Sequence, residues 1–153
     1  MLESILPARA GLVNTAKAMA SFDAFRKGKK GDVRALVEEL KENSRLCFRV
    51  VKENVDHKLV IPKLSTVEFD RLNKAGFDFG ALKSQKIAAL PGLEKTDLAA
   101  WIGKSTAELV QNIYDKVKDL KSLHEFKPDG PANRRRLINI HKRLLLLLHH
   151  VRS

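Results

Sequence analysis

Three stretches of the chain repeat apolar positions every three or four residues. In 32–58, Val33, Val37, Leu40, Ser44, Cys47, Val51 and Val55 fall on one line, while Arg34, Glu38, Glu42, Arg45, Arg49 and Lys52 fill other faces. That is the 3.6-residue period of an amphipathic helix with one buried stripe. In 97–125 the pattern returns: Trp101 or Ile102, Leu109 or Val110, Ile113, Val117, Leu120, then Leu123 or His124. Thr96 or Asp97 is placed to cap its start. Residues 132–152 differ, being apolar nearly all round: Leu137, Ile138, Ile140, Leu144 through Leu148, and Val151. Such a helix is buried on more than one face, as the centre of a bundle or as part of an interface between copies. A weaker stripe of Leu12, Ala16, Met19, Phe22 and Phe25 or Arg26 marks a fourth helix over 2–27, with Pro7 near its start.

Glycine and proline divide these elements. Gly28-Lys29-Lys30-Gly31 is a basic turn, and Asp32 after it can cap the next helix. Pro128-Asp129-Gly130-Pro131 is a turn between the last two helices. Pro62, Gly76, Gly80, Pro91 and Gly92 all fall in 60–97, where the spacing predicts only short helices, near Thr66–Ala75 and Phe79–Leu90. Period-two alternation over five or more residues is scarce, which argues against a sheet. The expected fold is all-α: one domain over 1–153, an antiparallel four-helix bundle with helices near 2–27, 32–58, 97–125 and 132–152 and an irregular 60–97 crossover.

Charge changes this picture once it is placed along the chain. The formal net charge is +11 on 153 residues. Residues 1–31 hold six basic and two acidic residues, and 130–153 hold six basic and no acidic ones. Between them the chain is nearly neutral. Closing a four-helix ring brings the first and last helices together, which would merge the two basic ends into one positive face suited to phosphates or an acidic partner. The single cysteine, Cys47, excludes an internal disulfide and falls on an apolar stripe, where it reads as a small core hydrophobe. No apolar run approaches the ~18 residues of a membrane span. Met1-Leu2-Glu3-Ser4 lacks the basic lead-in of a secretory leader, so the expected location is cytoplasmic.

Catalytic and metal motifs are sparse. Gly28–Gly31 has neither the span nor the Lys-Ser/Thr ending of a phosphate loop. His124-Glu125 has no second ligand at helical spacing. His149 and His150 are neighbours on a helix and point about 100° apart, which reads as a polar cap or a frayed end. No metal or cofactor is expected. Trp101 and Tyr114 lie on a periodic stripe and read as core, so a base-stacking platform has little support.

The densest cluster is Arg134-Arg135-Arg136-Leu137-Ile138-Asn139-Ile140-His141-Lys142-Arg143. Three cations on a helix's first turn oppose its dipole, which costs a few tenths of a kcal/mol each and points to another purpose. They can contact phosphate oxygens without reading bases. The primary expectation is therefore a non-catalytic module that binds nucleic acid, or an acidic protein. Its site would comprise Arg26, Lys27, Lys29 and Lys30 together with Arg134, Arg135, Arg136, Lys142 and Arg143. An arginine four to six residues before a histidine at the start of a bundle's last helix is also similar to the motif of HEPN-type ribonucleases. That resemblance covers about ten residues, and Arg134, Arg135 and Arg136 all satisfy the spacing to His141. It implies a metal-independent RNA-cleaving site in which Arg135 or Arg136 stabilises charge and His141 moves a proton. Two further readings concern the last helix: an interfacial membrane contact, which its lack of a single apolar face disfavours, and a homodimer seam.

Overall fold

The computed structural model describes residues 20, 22–25, 27, 29 and 31–152. Among them there is no strand, and the fold is all-α. Three long helices carry it: α1 (Gly31–Glu53), α4 (Thr106–Phe126) and α5 (Asn133–Arg152). Two short ones, α2 (His57–Val60) and α3 (Val67–Lys74), lie in the connection from α1 to α4 with several 3₁₀ turns. Of the expected first helix, residues 20, 22–25 and 27 are described and helical, and Phe22 and Phe25 are buried in the common core. The rest of that helix lies outside the described residues.

Helix α1 follows its sequence pattern closely. Leu36, Val37, Leu40, Ser44 and Cys47 are buried along one stripe, and burial pushes the Cys47 thiol up to about 12. The helix ends at Glu53 rather than near residue 58. Asn54 takes φ 55°, a left-handed conformation that Asn tolerates better than most residues. Asp56 then starts α2, its side chain accepting from the Lys58 backbone N–H. Asp32 is not the cap of α1. It lies inside the first turn, where its carboxylate accepts from Arg71 at 3.1 Å.

Helix α4 starts at Thr106, not near Asp97. Ser105 and Glu108 form a capping box, each side chain accepting from the other's backbone N–H. Before it the chain is held in a tight loop. The Ile87 N–H donates to the Lys104 carbonyl and the Gly103 N–H to the Ile87 carbonyl. Gly103 has φ +86°, which a residue with a Cβ rarely adopts. Trp101 is consequently half-buried in a 3₁₀ turn with Lys104 over its ring, whereas Tyr114 is fully buried. Thr96 caps only a local turn, its hydroxyl accepting from the Leu98 N–H.

Helix α5 is the centre of the molecule. It packs on both α1 and α4, and Leu144 through Leu148 are all buried. These leucines are spent on packing within the chain. Helices α4 and α5 run antiparallel. The start of one meets the end of the other at Thr106 and His150, whose Oγ1 and Nε2 are 2.7 Å apart, and the turn 127–132 joins the opposite ends. His150 is thus packed and bonded within the helix; it is not a frayed end.

Connecting residues that the pattern leaves irregular are organised by two polar side chains of α1. Glu39, buried, accepts from the Ser65 hydroxyl and from the backbone N–H groups of Glu68 and Phe69. Asn43 exchanges two bonds with the Ser65 backbone, at 2.8 and 2.9 Å. Together they cap α3 from a different helix. Beneath that cap the ring of Phe69 stacks on Tyr114 at 4.3 Å and on Phe79 at 5.0 Å.

Candidate functional site

The turn before α5 is built to hold its first residues in place. Asn133 is buried, and its amide donates to the Lys127 carbonyl at 3.0 Å. The Gly130 N–H donates to the same carbonyl. A Cβ on Gly130 would lie 3.1 Å from the Asn133 Oδ1 and 3.2 Å from the Lys127 oxygen, so a side chain there would press on both acceptors. Lys58 of α2 pairs with Asp129 at 2.7 Å and ties the turn to the rest of the fold. Each carboxylate–ammonium partner favours the other's charged form: Asp129 is lowered and Lys58 raised from its ordinary value, chiefly by this hydrogen bond.

On this support Arg134, Arg135 and Arg136 are exposed. Four arginines elsewhere are matched with acids: Arg34 with Glu38, Arg45 with Glu42, Arg49 with Glu53, and Arg71 with Asp32 and Glu68. Arg134, Arg135 and Arg136 have no ion pair among the described residues, and the first turn of α5 holds no acid. Three adjacent guanidinium groups therefore face solvent with their bidentate donors uncommitted.

The other expected members are placed differently. Lys142 is buried, and its ammonium pairs with Asp97 at 2.8 Å. That pairing withdraws it from the exposed face. Asp97 is held below the usual carboxylate range by Lys142 and, more weakly, Arg143, against an opposing effect of burial that is the largest single influence. Arg143 is half-buried and donates to the Asn139 carbonyl at 3.0 Å; burial lowers its pKa from the ordinary value. His141 is fully buried in the core, at 0% exposure. Of the residues that the ribonuclease resemblance singles out, Arg135 and Arg136 are thus exposed and His141 is buried. At the other basic end, Lys27 is exposed and the Lys29 ammonium lies 4.8 Å from the centre of the Phe25 ring. Arg26 and Lys30 lie outside the described residues. The segment is anchored to α1 by an ion pair between Asp23 and Lys41.

Sequence reading passed over one feature of this face. A groove between α4 and α5 is lined by Lys116, Asp119, Leu120, Arg136 and Asn139 and encloses about 100 Å³. Lys116 and Asp119 lie off the apolar stripe of α4, and their meeting with Arg136 depends on how the two helices cross. No group of three or more His, Cys, Asp or Glu side chains that could hold a metal occurs among the described residues, and no described helix is long and apolar enough to cross a membrane. No protein-family model, curated protein or solved structure matches the chain.

Proposed function

We propose that this protein is a non-catalytic module that binds nucleic acid through its phosphates, with Arg134, Arg135 and Arg136 as the principal contacts. One observation carries the reading. These arginines are exposed and unmatched in the first turn of α5, whereas Arg34, Arg45, Arg49 and Arg71 are paired with nearby acids. Their position against the dipole of α5 disfavours them in isolation and is relieved when an anion binds. Lys27 and Lys29, from the other basic end of the chain, are further phosphate contacts in this reading. Aromatic residues are few and mostly packed, so contacts would fall on the backbone and selectivity among sequences would be weak.

Binding should depend steeply on salt. Fluorescence-anisotropy titrations of a labelled single-stranded oligonucleotide would show log affinity falling linearly with log salt, with a slope of about 0.7 per phosphate neutralised. Replacing Arg134, Arg135 and Arg136 together by Gln should reduce affinity about tenfold or more at low salt and flatten the slope by about two. No binding at low salt, or an affinity indifferent to salt, would sink the reading.

A further inference from the structure

The groove between α4 and α5 differs from the rest of the positive face because it contains an acid. Lys116, Asp119 and Arg136 all line it, yet neither cation lies within ion-pair distance of the carboxylate. Asp119 has no ion pair among the described residues, in a chain where basic residues outnumber acids 29 to 18. Opposite charges that share a cavity without closing on each other leave room for a group between them. The Asn139 amide adds a neutral donor and acceptor, and Leu120 supplies an apolar floor.

A ligand made only of phosphate has no use for Asp119, which would repel it. A ligand with an anion and a neighbouring hydroxyl fits all the groups. Arg136 and Lys116 would grip the anion, and Asp119, an acceptor only, would take the hydroxyl hydrogen. At about 100 Å³ the space suits a phosphate and the edge of its sugar, leaving the base outside. We infer that this groove holds one ribose–phosphate unit of RNA, with Asp119 accepting from the 2′-hydroxyl, so that the face prefers RNA to DNA. The inference rests on the phosphate-binding reading above and adds the sugar to it. The 2′-hydroxyl is the group by which a protein can tell the two polymers apart at a given position.

Matched single-stranded oligonucleotides of one sequence, made with uridine or deoxyuridine, provide the test by fluorescence anisotropy. The wild-type protein should bind the RNA about three- to tenfold more tightly, the scale of one hydrogen bond to a charged acceptor. Asp119→Ala should bring that ratio to about one. Arg136→Gln should weaken binding to both polymers and lower the salt slope by about 0.7. Asp119 and Arg136 are both exposed, and unchanged melting temperatures would certify that the variants are folded. Equal affinity of the wild type for RNA and DNA, or full discrimination surviving in Asp119→Ala, overturns the ribose assignment and leaves phosphate binding standing. Failure of the wild type to bind either polymer overturns both.

Discussion

Among single residues, the largest departures from a simple apolar core are charged or polar side chains that structure has buried. Glu39 and Asn43 lie one helical turn apart on the inner face of α1, and the Ser65–Phe69 segment comes to them. The carboxylate supplies three acceptor contacts, two of them to backbone N–H groups at the start of α3. Tyr114 packs beside it, and burial followed by that negative charge holds its phenol well above the ordinary range. Glu39→Ala should therefore destabilise the fold by about 2–4 kcal/mol, since it strands buried backbone donors as well as removing bonds. Urea denaturation of the variant checks this, and a loss below about 0.5 kcal/mol would mean the cap is redundant. The pattern of α1 showed Ser44 and Cys47 as inward-facing. It could not show that Glu39 is buried, because a glutamate beside a stripe looks the same whether it meets water or an uncapped helix.

At the level of elements, the antiparallel pair of α4 and α5 is closed at one end by a polar contact. Thr106 donates to the Lys83 carbonyl at 2.7 Å and lies equally close to the His150 ring. Burial lowers the His150 pKa first, followed by the charge of Lys83 and the neighbouring His149, while a hydrogen bond to the Gln85 backbone works the other way. The folded protein thus holds fewer protons on this group than the unfolded chain, whose ordinary value is 6.5. Its contribution to stability is complete above that pH and is lost as pH falls through the lower folded value. The melting temperature should accordingly decline on acidification below about pH 6.5, and the His150→Gln variant should show a shallower decline over that interval. Identical pH profiles for the two proteins would remove His150 as the source. Helix existence and type were legible from apolar spacing in α1, α4 and α5. The start of α4 was not, because Trp101 and Ile102 continue its period by chance while Ser105 and Glu108 carry the capping signal that decides it.

Across the whole molecule, charge is sorted by what each cation meets. Lys142 lies on the same helix as Arg134–Arg136 but is spent on Asp97, 45 positions away in the chain. Stability and binding should therefore separate. Lys142→Met keeps the volume and removes the charge, and Asp97, half-exposed, can turn to water instead, so stability should change by no more than about 1 kcal/mol and oligonucleotide affinity should stay unchanged. The triple arginine variant should do the reverse, losing affinity at constant melting temperature. Loss of affinity in Lys142→Met with the fold intact would return that lysine to the binding face.

The sequence by itself determined that the chain is helical, that one stripe of α1 is buried and that the last helix is enclosed on several sides. Those properties are written in residues three and four apart, which share a helix face whatever surrounds them. It also determined that the C-terminal stretch carries cations without acids, since composition needs no fold. Only the tertiary structure decided which of those cations stay available. Arg134, Arg135 and Arg136 remain exposed while Lys142 and His141 are buried, although all five lie in one short stretch of a single helix. The groove with Asp119 belongs to the same class of fact. It exists because α4 crosses α5 at a particular register, and contacts between residues far apart in the chain leave no local periodicity to read.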